Sequence, residues 1–241
     1  MQDSDEMPEN NLSKTSKAQQ PGIVILALES GSDASSAALR LPSGQIIQAL
    51  TQARHGHAER LAEQVMQVID KAQLQFSDVT HIAAGCGPGS FTGIRVCLAA
   101  ATGLVLAGDA VPAGINMLEA LLYNASMTDS QQLNLAVLDS RRQSVYARLS
   151  SESGDLDLDK EQFRTLLLAK PEVKIIGLLP EGWAEDLPSN ATYQLILPSA
   201  ELVAGYAAYL LEKGKPLAPL QAAYLAPPKL GPAKKPARKT A

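Results

Sequence analysis

Gly85-Cys86-Gly87-Pro88-Gly89-Ser90-Phe91-Thr92-Gly93-Ile94-Arg95 decides how this chain is read. His81-Ile82-Ala83-Ala84 before it predicts a strand, and the apolar run after it predicts a helix reaching Gly108. Glycines in such a turn permit φ > 0 and close backbone approach, and the free N–H groups of the following helix attract anions. The better-known phosphate signatures are incomplete here. A Walker loop requires G-x-x-x-x-G-K-[ST], and the turn has no Lys. The dinucleotide fingerprint fails because Ser90 stands at its third glycine position, after Gly85 and Gly87. A nucleophile elbow fails too, since Pro88 and Thr92 stand where its glycines belong. By spacing alone the turn reads as structural, with Ser90 at the helix N-cap; anion binding is the alternative.

Downstream, Arg95 is the only charge within residues 94–107, and Cys97, Ala99, Ala100, Ala101 and Gly103 keep that helix small-surfaced. A helix apolar all round must be covered on every side, by its own core or by another chain. Upstream, Leu61, Val65, Val68, Ile69 and Ala72 share one face of a helix predicted over residues 57–74. Residues 23–28 form an unbroken apolar run, the pattern of a strand buried on both faces. Strands over 34–40 and 45–50, joined by Leu41-Pro42-Ser43-Gly44, make an antiparallel meander with it, because parallel neighbours need a longer crossover. The first half thus reads β-β-β-α-β-α. The second half has similar character. Helices are predicted over 117–124, 161–168 and 200–213, and strands over 133–138, 144–149 and 173–177. The expected class is α/β, with two lobes that are each a mixed sheet with flanking helices. Residues 21–112 form the first lobe and 113–226 the second. Residues 1–20 read as a disordered leader, and 227–241, with four Lys, one Arg and no acid, as a disordered basic tail.

Composition narrows the function. With 241 residues, 46% of them apolar, the chain can bury a sizeable core. A net charge of −4 and 4% aromatic content argue against a body that grips nucleic acid through phosphates and stacked bases. Cys86 and Cys97 make no C-x-x-C pair and read as buried, reduced thiols of a cytoplasmic protein. The N-terminus has no apolar signal core, and no apolar stretch reaches the roughly 20 residues that span a bilayer. His55 and His57 are spaced i, i+2 and do not share a helix face; with His81 isolated, metal binding is not expected.

The segment Gly87-Pro88-Gly89-Ser90-Phe91-Thr92-Gly93-Ile94-Arg95 resembles the G-P-G-S-F-T-G-[LIV]-R stretch of the TsaB (YeaZ) family. That family is a branch of the actin-like, ribonuclease-H-like (ASKHA) superfamily. Further matches follow in order. Leu26-Ala27-Leu28-Glu29-Ser30 is similar to the opening strand L-A-I-D-T, and His57-Ala58-Glu59-Arg60-Leu61 to H-[ST]-E-x-L. Gly114-Ile115-Asn116-Met117-Leu118-Glu119-Ala120 resembles G-V-S-[TS]-L-E-A. Asp139-Ser140-Arg141-Arg142-Gln143-Ser144-Val145-Tyr146 resembles D-A-R-R-x-E-V-Y, and Tyr224-Leu225 the closing Y-L-R. The likeness covers residues 23–225 and is densest in the first half.

The resemblance implies a non-catalytic subunit in the tRNA threonylcarbamoyladenosine machinery. Such subunits lack the metal-holding H-x-x-x-H of their paralogue TsaD. They pair with TsaD, support its transfer of threonylcarbamoyl to adenosine 37 of tRNA, and work with the ATPase TsaE. It further implies contact with tRNA only through the complex, no cofactor of the chain's own, and ATP or ADP with Mg²⁺ only at the interface of the complex. Homodimerisation is the competing assembly. Glu29, Ser30 and Ser144 depart from the family's usual Asp, Thr and Glu. The Asp of the first strand helps position Mg²⁺ in the superfamily, so the longer Glu29 argues against independent ATP hydrolysis. The expected partner-binding elements are Gly87, Pro88, Gly89, Ser90, Phe91, Thr92, Gly93 and Arg95, which double as a candidate phosphate loop. His57, Leu61, Ala100, Ala101 and Leu104 are the expected interface residues on two neighbouring helices. The rival functions are a small-molecule kinase or ATPase of the same fold, and a peptidase. No Ser/His/Asp set supports the peptidase.

Overall fold

Strand β1, Ile25–Glu29, is buried along its whole length and forms the middle of the first sheet in the computed structural model, which describes residues 22–52, 57–127 and 132–225. The expected leader (1–20) and basic tail (227–241) lie outside the described residues, as does His55. β1 pairs antiparallel with β2 (Ala34–Arg40), and β2 with β3 (Ile46–Gln52), which is the predicted meander. On its other edge β1 pairs parallel with β4 (His81–Gly87), and β4 parallel with β5 (Val111–Asn116). Helices α1 (His57–Ala72) and α2 (Phe91–Leu106) supply the two crossovers.

The second sheet repeats this plan. β6 (Asn134–Asp139), β7 (Ser144–Leu149) and β8 (Leu156–Asp159) form an antiparallel meander. β9 (Val173–Leu178) and β10 (Ala191–Leu195) then add in parallel beside β6. The sheet orders, β3-β2-β1-β4-β5 and β8-β7-β6-β9-β10, are identical. α4 (Lys160–Leu168) takes the place of α1. The β9–β10 connection holds only a short 3₁₀ turn, Ala184–Asp186, where the first lobe has α2.

Three apolar clusters hold this arrangement. Leu26, Leu28, Leu39, Leu61, Val68, Ile82 and Cys97 lie under α1 and α2 on the outer face of the first sheet. Leu135, Val137, Phe163, Ile175 and Trp183 do the same under α4 on the second. Between the sheets, α3 (Met117–Ser126) packs against α5 (Ala200–Glu212) in a cluster that draws side chains from both lobes, including Ile25, Ile115, Leu121, Leu138 and Ile176. α5, though last in sequence, packs on β1 and β2 of the first lobe. A shared apolar core of this extent resists free hinge motion between lobes. After α5 the chain runs back over the first lobe: Gly114 N–H donates to Ala218 O at 2.7 Å and Ala223 N–H to Cys86 O at 2.8 Å.

β5, β8 and β10 were not predicted. Pro112 and Gly114 disguise β5, and such residues are tolerated because β5 lies at the sheet edge. No helix among the described residues is long and apolar enough to cross a membrane.

Candidate functional site

The glycine-rich turn is built to let two backbones touch. Ser90 N–H donates to Gly31 O at 2.7 Å, and Ser30 Oγ donates to Gly93 O at 2.9 Å. A methyl group on Gly89 would stand 2.6 Å from Gly31 O, and one on Gly93 would stand 1.9 Å from Ser30 O. Ser90 caps α2, its Oγ accepting from Gly93 N–H at 3.3 Å. Gly87, with φ at +100°, makes the turn that a side chain would strain. The β1–β2 turn therefore lies directly against the glycine-rich turn.

The cleft between the lobes is closed in the same way. Glu29, Gly31, Ser32, Pro88, Gly89, Met117, Asp139, Arg141 and Pro198 line a space of about 10 Å³, room for one water. Small-molecule sites usually enclose about 300–1,000 Å³. Arg141 Nη2 lies 2.7 Å from Asp33 Oδ1 across the mouth, and Asp139 Oδ1 accepts from Arg141 N–H at 2.7 Å. As it stands, the space is far smaller than a nucleoside triphosphate with Mg²⁺. Among the described residues no group of three His, Cys, Asp or Glu side chains is placed to hold a metal ion.

Glu29 itself is turned inward. Its Oε1 accepts from Gly31 N–H at 2.6 Å, and its other oxygen fills the space beside Gly85, where a methyl would stand 1.7 Å away. Burial pushes its pKa up from 4.5 to about 7, against the smaller lowering by the Gly31 hydrogen bond. The unfolded chain releases this proton near pH 4.5 and the folded chain near pH 7, so stability falls as pH rises between the two and stays reduced above. Gln resembles the neutral acid. Glu29→Gln is therefore expected to stabilise the fold by about 3 kcal/mol at pH 8 and by less than about 1 kcal/mol at pH 5. Thermal melts at the two pH values check this; an equal gain at both would mean that Glu29 is not ionised on alkaline titration of the folded state.

The outer surface of α1 and α2 presents a different kind of site. The helices lie side by side on the first sheet. On α2, Ile94, Cys97 and Ala101 point into the core, while Thr92, Arg95, Ala99, Thr102, Gly103 and Leu106 are exposed. On α1, Ala58, Glu59, Ala62, Glu63, Met66 and Gln67 are exposed. Met66 is 67% and Leu106 82% accessible, so large apolar side chains face water on both helices. This corrects part of the sequence expectation. Leu61 and Ala101 belong to the core of their own lobe, at 1% and 0% accessibility, and are unavailable to another chain. Ala100 and Leu104 are half-buried against that same core. His57 opens α1, but its side chain lies outside what is described. Ala99, Leu106 and Met66, exposed on the two helices, were not among the residues expected there. The signal was present: counting from Arg95, the one charge on the helix, positions 99, 102 and 106 share its face.

Known proteins share this fold. The family profile described as TsaD: tRNA N6-adenosine threonylcarbamoyltransferase matches residues 49–165. The Escherichia coli tRNA threonylcarbamoyladenosine biosynthesis protein TsaB is 26% identical over 211 residues, covering 80% of this chain and 90% of that protein. The Haemophilus influenzae protein of the same name is 31% identical over 124 residues, 52% of each chain. The solved structure of YeaZ from Pseudomonas aeruginosa superposes with a TM-score of 0.70 at 26% identity, covering 84% of this chain and all of that one. Over most of its length the chain is similar to proteins of the TsaB (YeaZ) family. Its two lobes are those of the actin-like, ribonuclease-H-like fold, and residues 87–95, the segment that resembles the family's stretch, run from the end of β4 through the connecting turn into the start of α2.

Proposed function

We propose that this chain is a non-catalytic subunit of the TsaB family in tRNA threonylcarbamoyladenosine biosynthesis. It pairs with a TsaD-type catalytic subunit through the outer face of α1 and α2 and supports threonylcarbamoyl transfer to adenosine 37 of tRNA. A TsaE-type ATPase joins the assembly, tRNA is met through the complex, and any nucleotide with Mg²⁺ acts at the interface with the partners.

The observation that carries this reading is the closed interlobe cleft. In an actin-like fold a catalytic nucleotide sits between the lobes, and here that space holds about 10 Å³ with Glu29 folded into its wall. What the chain offers instead is an apolar two-helix surface exposing Met66, Ala99 and Leu106, the kind of patch that marks an association site. A small-molecule kinase would need the cleft. Titration calorimetry of the isolated chain with ATP and Mg²⁺ is expected to give no saturable heat at millimolar ligand, and phosphate release no turnover. Binding with a micromolar Kd, lost in Asp139→Asn, would favour the kinase instead.

A further inference from the structure

Arg95 is the only charged residue of α2, and it stands on the exposed face. Its guanidinium carbon lies 3.9 Å above the centre of the Phe91 ring, a cation–π contact. Its Nε–H donates to the Tyr224 hydroxyl at 3.2 Å, and the Tyr224 and Phe91 rings pack 5.1 Å apart. Tyr224 is in turn placed by the returning C-terminal segment, which is tied to β4 through Ala223 N–H and Cys86 O. The guanidinium is thus held from two sides through its carbon and its Nε, and no carboxylate among the described residues pairs with it. The residue is exposed, and neither of these contacts uses its two terminal nitrogens.

In water this arrangement needs no further partner. Under a docked chain it does, because a covered guanidinium without a counter-ion carries a heavy desolvation penalty. The planar fork fits a carboxylate with two parallel hydrogen bonds, and an arginine already held in place loses little freedom in making them.

We propose that Arg95 is a preformed clamp for an Asp or Glu carboxylate on the docking face of the catalytic partner, with Phe91 and Tyr224 as its positioning residues. This rests on the reading that the α1–α2 face meets that partner. Binding of the full-length chain to its TsaD-type partner, followed by calorimetry, tests it. Arg95→Ala is expected to weaken binding about 30- to 100-fold. Arg95→Lys, which keeps the charge and loses the fork, weakens it about 10-fold. Tyr224→Phe, which removes the acceptor that orients Nε, weakens it about 3-fold, with melting temperature unchanged in all three. A wild-type chain that binds and an Arg95→Ala variant that binds equally well would overturn the clamp. Tyr224→Phe at wild-type strength beside a weakened Arg95→Ala would overturn the positioning role. Failure of the wild type itself to bind would overturn the docking reading and the clamp with it.

Discussion

Ala99→Glu is expected to leave the chain folded and to abolish its association with the TsaD-type partner, while Ala101→Glu, two residues along the same helix, is expected to unfold it. Ala101 has no accessible surface and lies in the cluster beneath α1 and α2. A carboxylate there has neither water nor a cation, and the destabilisation is about 4 kcal/mol or more, a large share of the stability of an ordinary domain. Ala99 faces water, where Glu is a good helix former and harms nothing in the free chain. Once a partner covers that face, the same carboxylate is desolvated and, four residues from Arg95 on the same face, competes for the guanidinium that the partner would otherwise meet, at a cost of about 3–5 kcal/mol, or at least a hundredfold in affinity. Circular dichroism melts separate the two variants by stability, and sizing chromatography with the partner separates them by binding. A folded Ala99→Glu chain that binds at wild-type strength would place the interface elsewhere.

Gly93→Ala should be nearly as damaging, for a purely steric reason. The added methyl would lie 1.9 Å from Ser30 O and 2.9 Å from Ser30 C, backbone against backbone with no flexible side chain to yield. α2 would have to move off the β1–β2 turn, breaking the bonds from Ser30 Oγ to Gly93 O and from Ser90 N–H to Gly31 O. A loss of about 3–5 kcal/mol is expected. Gly103, in the same helix, has nothing within 4 Å of the position its methyl would take. Gly103→Ala should therefore gain about 1 kcal/mol from helix propensity alone. Urea titrations of the pair give the answer; similar midpoints for both would mean that the close contact at Gly93 does not restrain α2.

Much of this fold was legible in the residues. The apolar run around Leu26 gave the central strand, the turn 41–44 gave the meander, and Leu61, Val65 and Val68 gave the buried face of α1. What was hidden follows from how little a short edge strand needs. β8 is Leu-Asp-Leu-Asp, β10 is mostly exposed, and β5 contains Pro112, so none carries the pattern of a buried strand. Two lobes of similar character were legible, but their identical strand order was not, since two of the second lobe's five strands went unread. At the site, the glycine turn was legible as a tight turn capped by Ser90, but not what lies against it. Contact of residues 30–31 with residues 89–93 is a long-range fact that local spacing cannot encode. Nor could spacing show that Glu29 would fold into the space that Gly85 leaves open.

The role of the chain is tested most directly by reconstitution: threonylcarbamoyladenosine formed on tRNA is measured with the TsaD-type subunit and its accessory enzymes, adding either the wild-type chain, folded Ala99→Glu, or nothing. The expected result is strong stimulation by the wild type, none by Ala99→Glu, and no product from the chain without the catalytic subunit. Full stimulation by Ala99→Glu would contradict action through the α1–α2 face, and product formed by the chain alone would contradict a non-catalytic role.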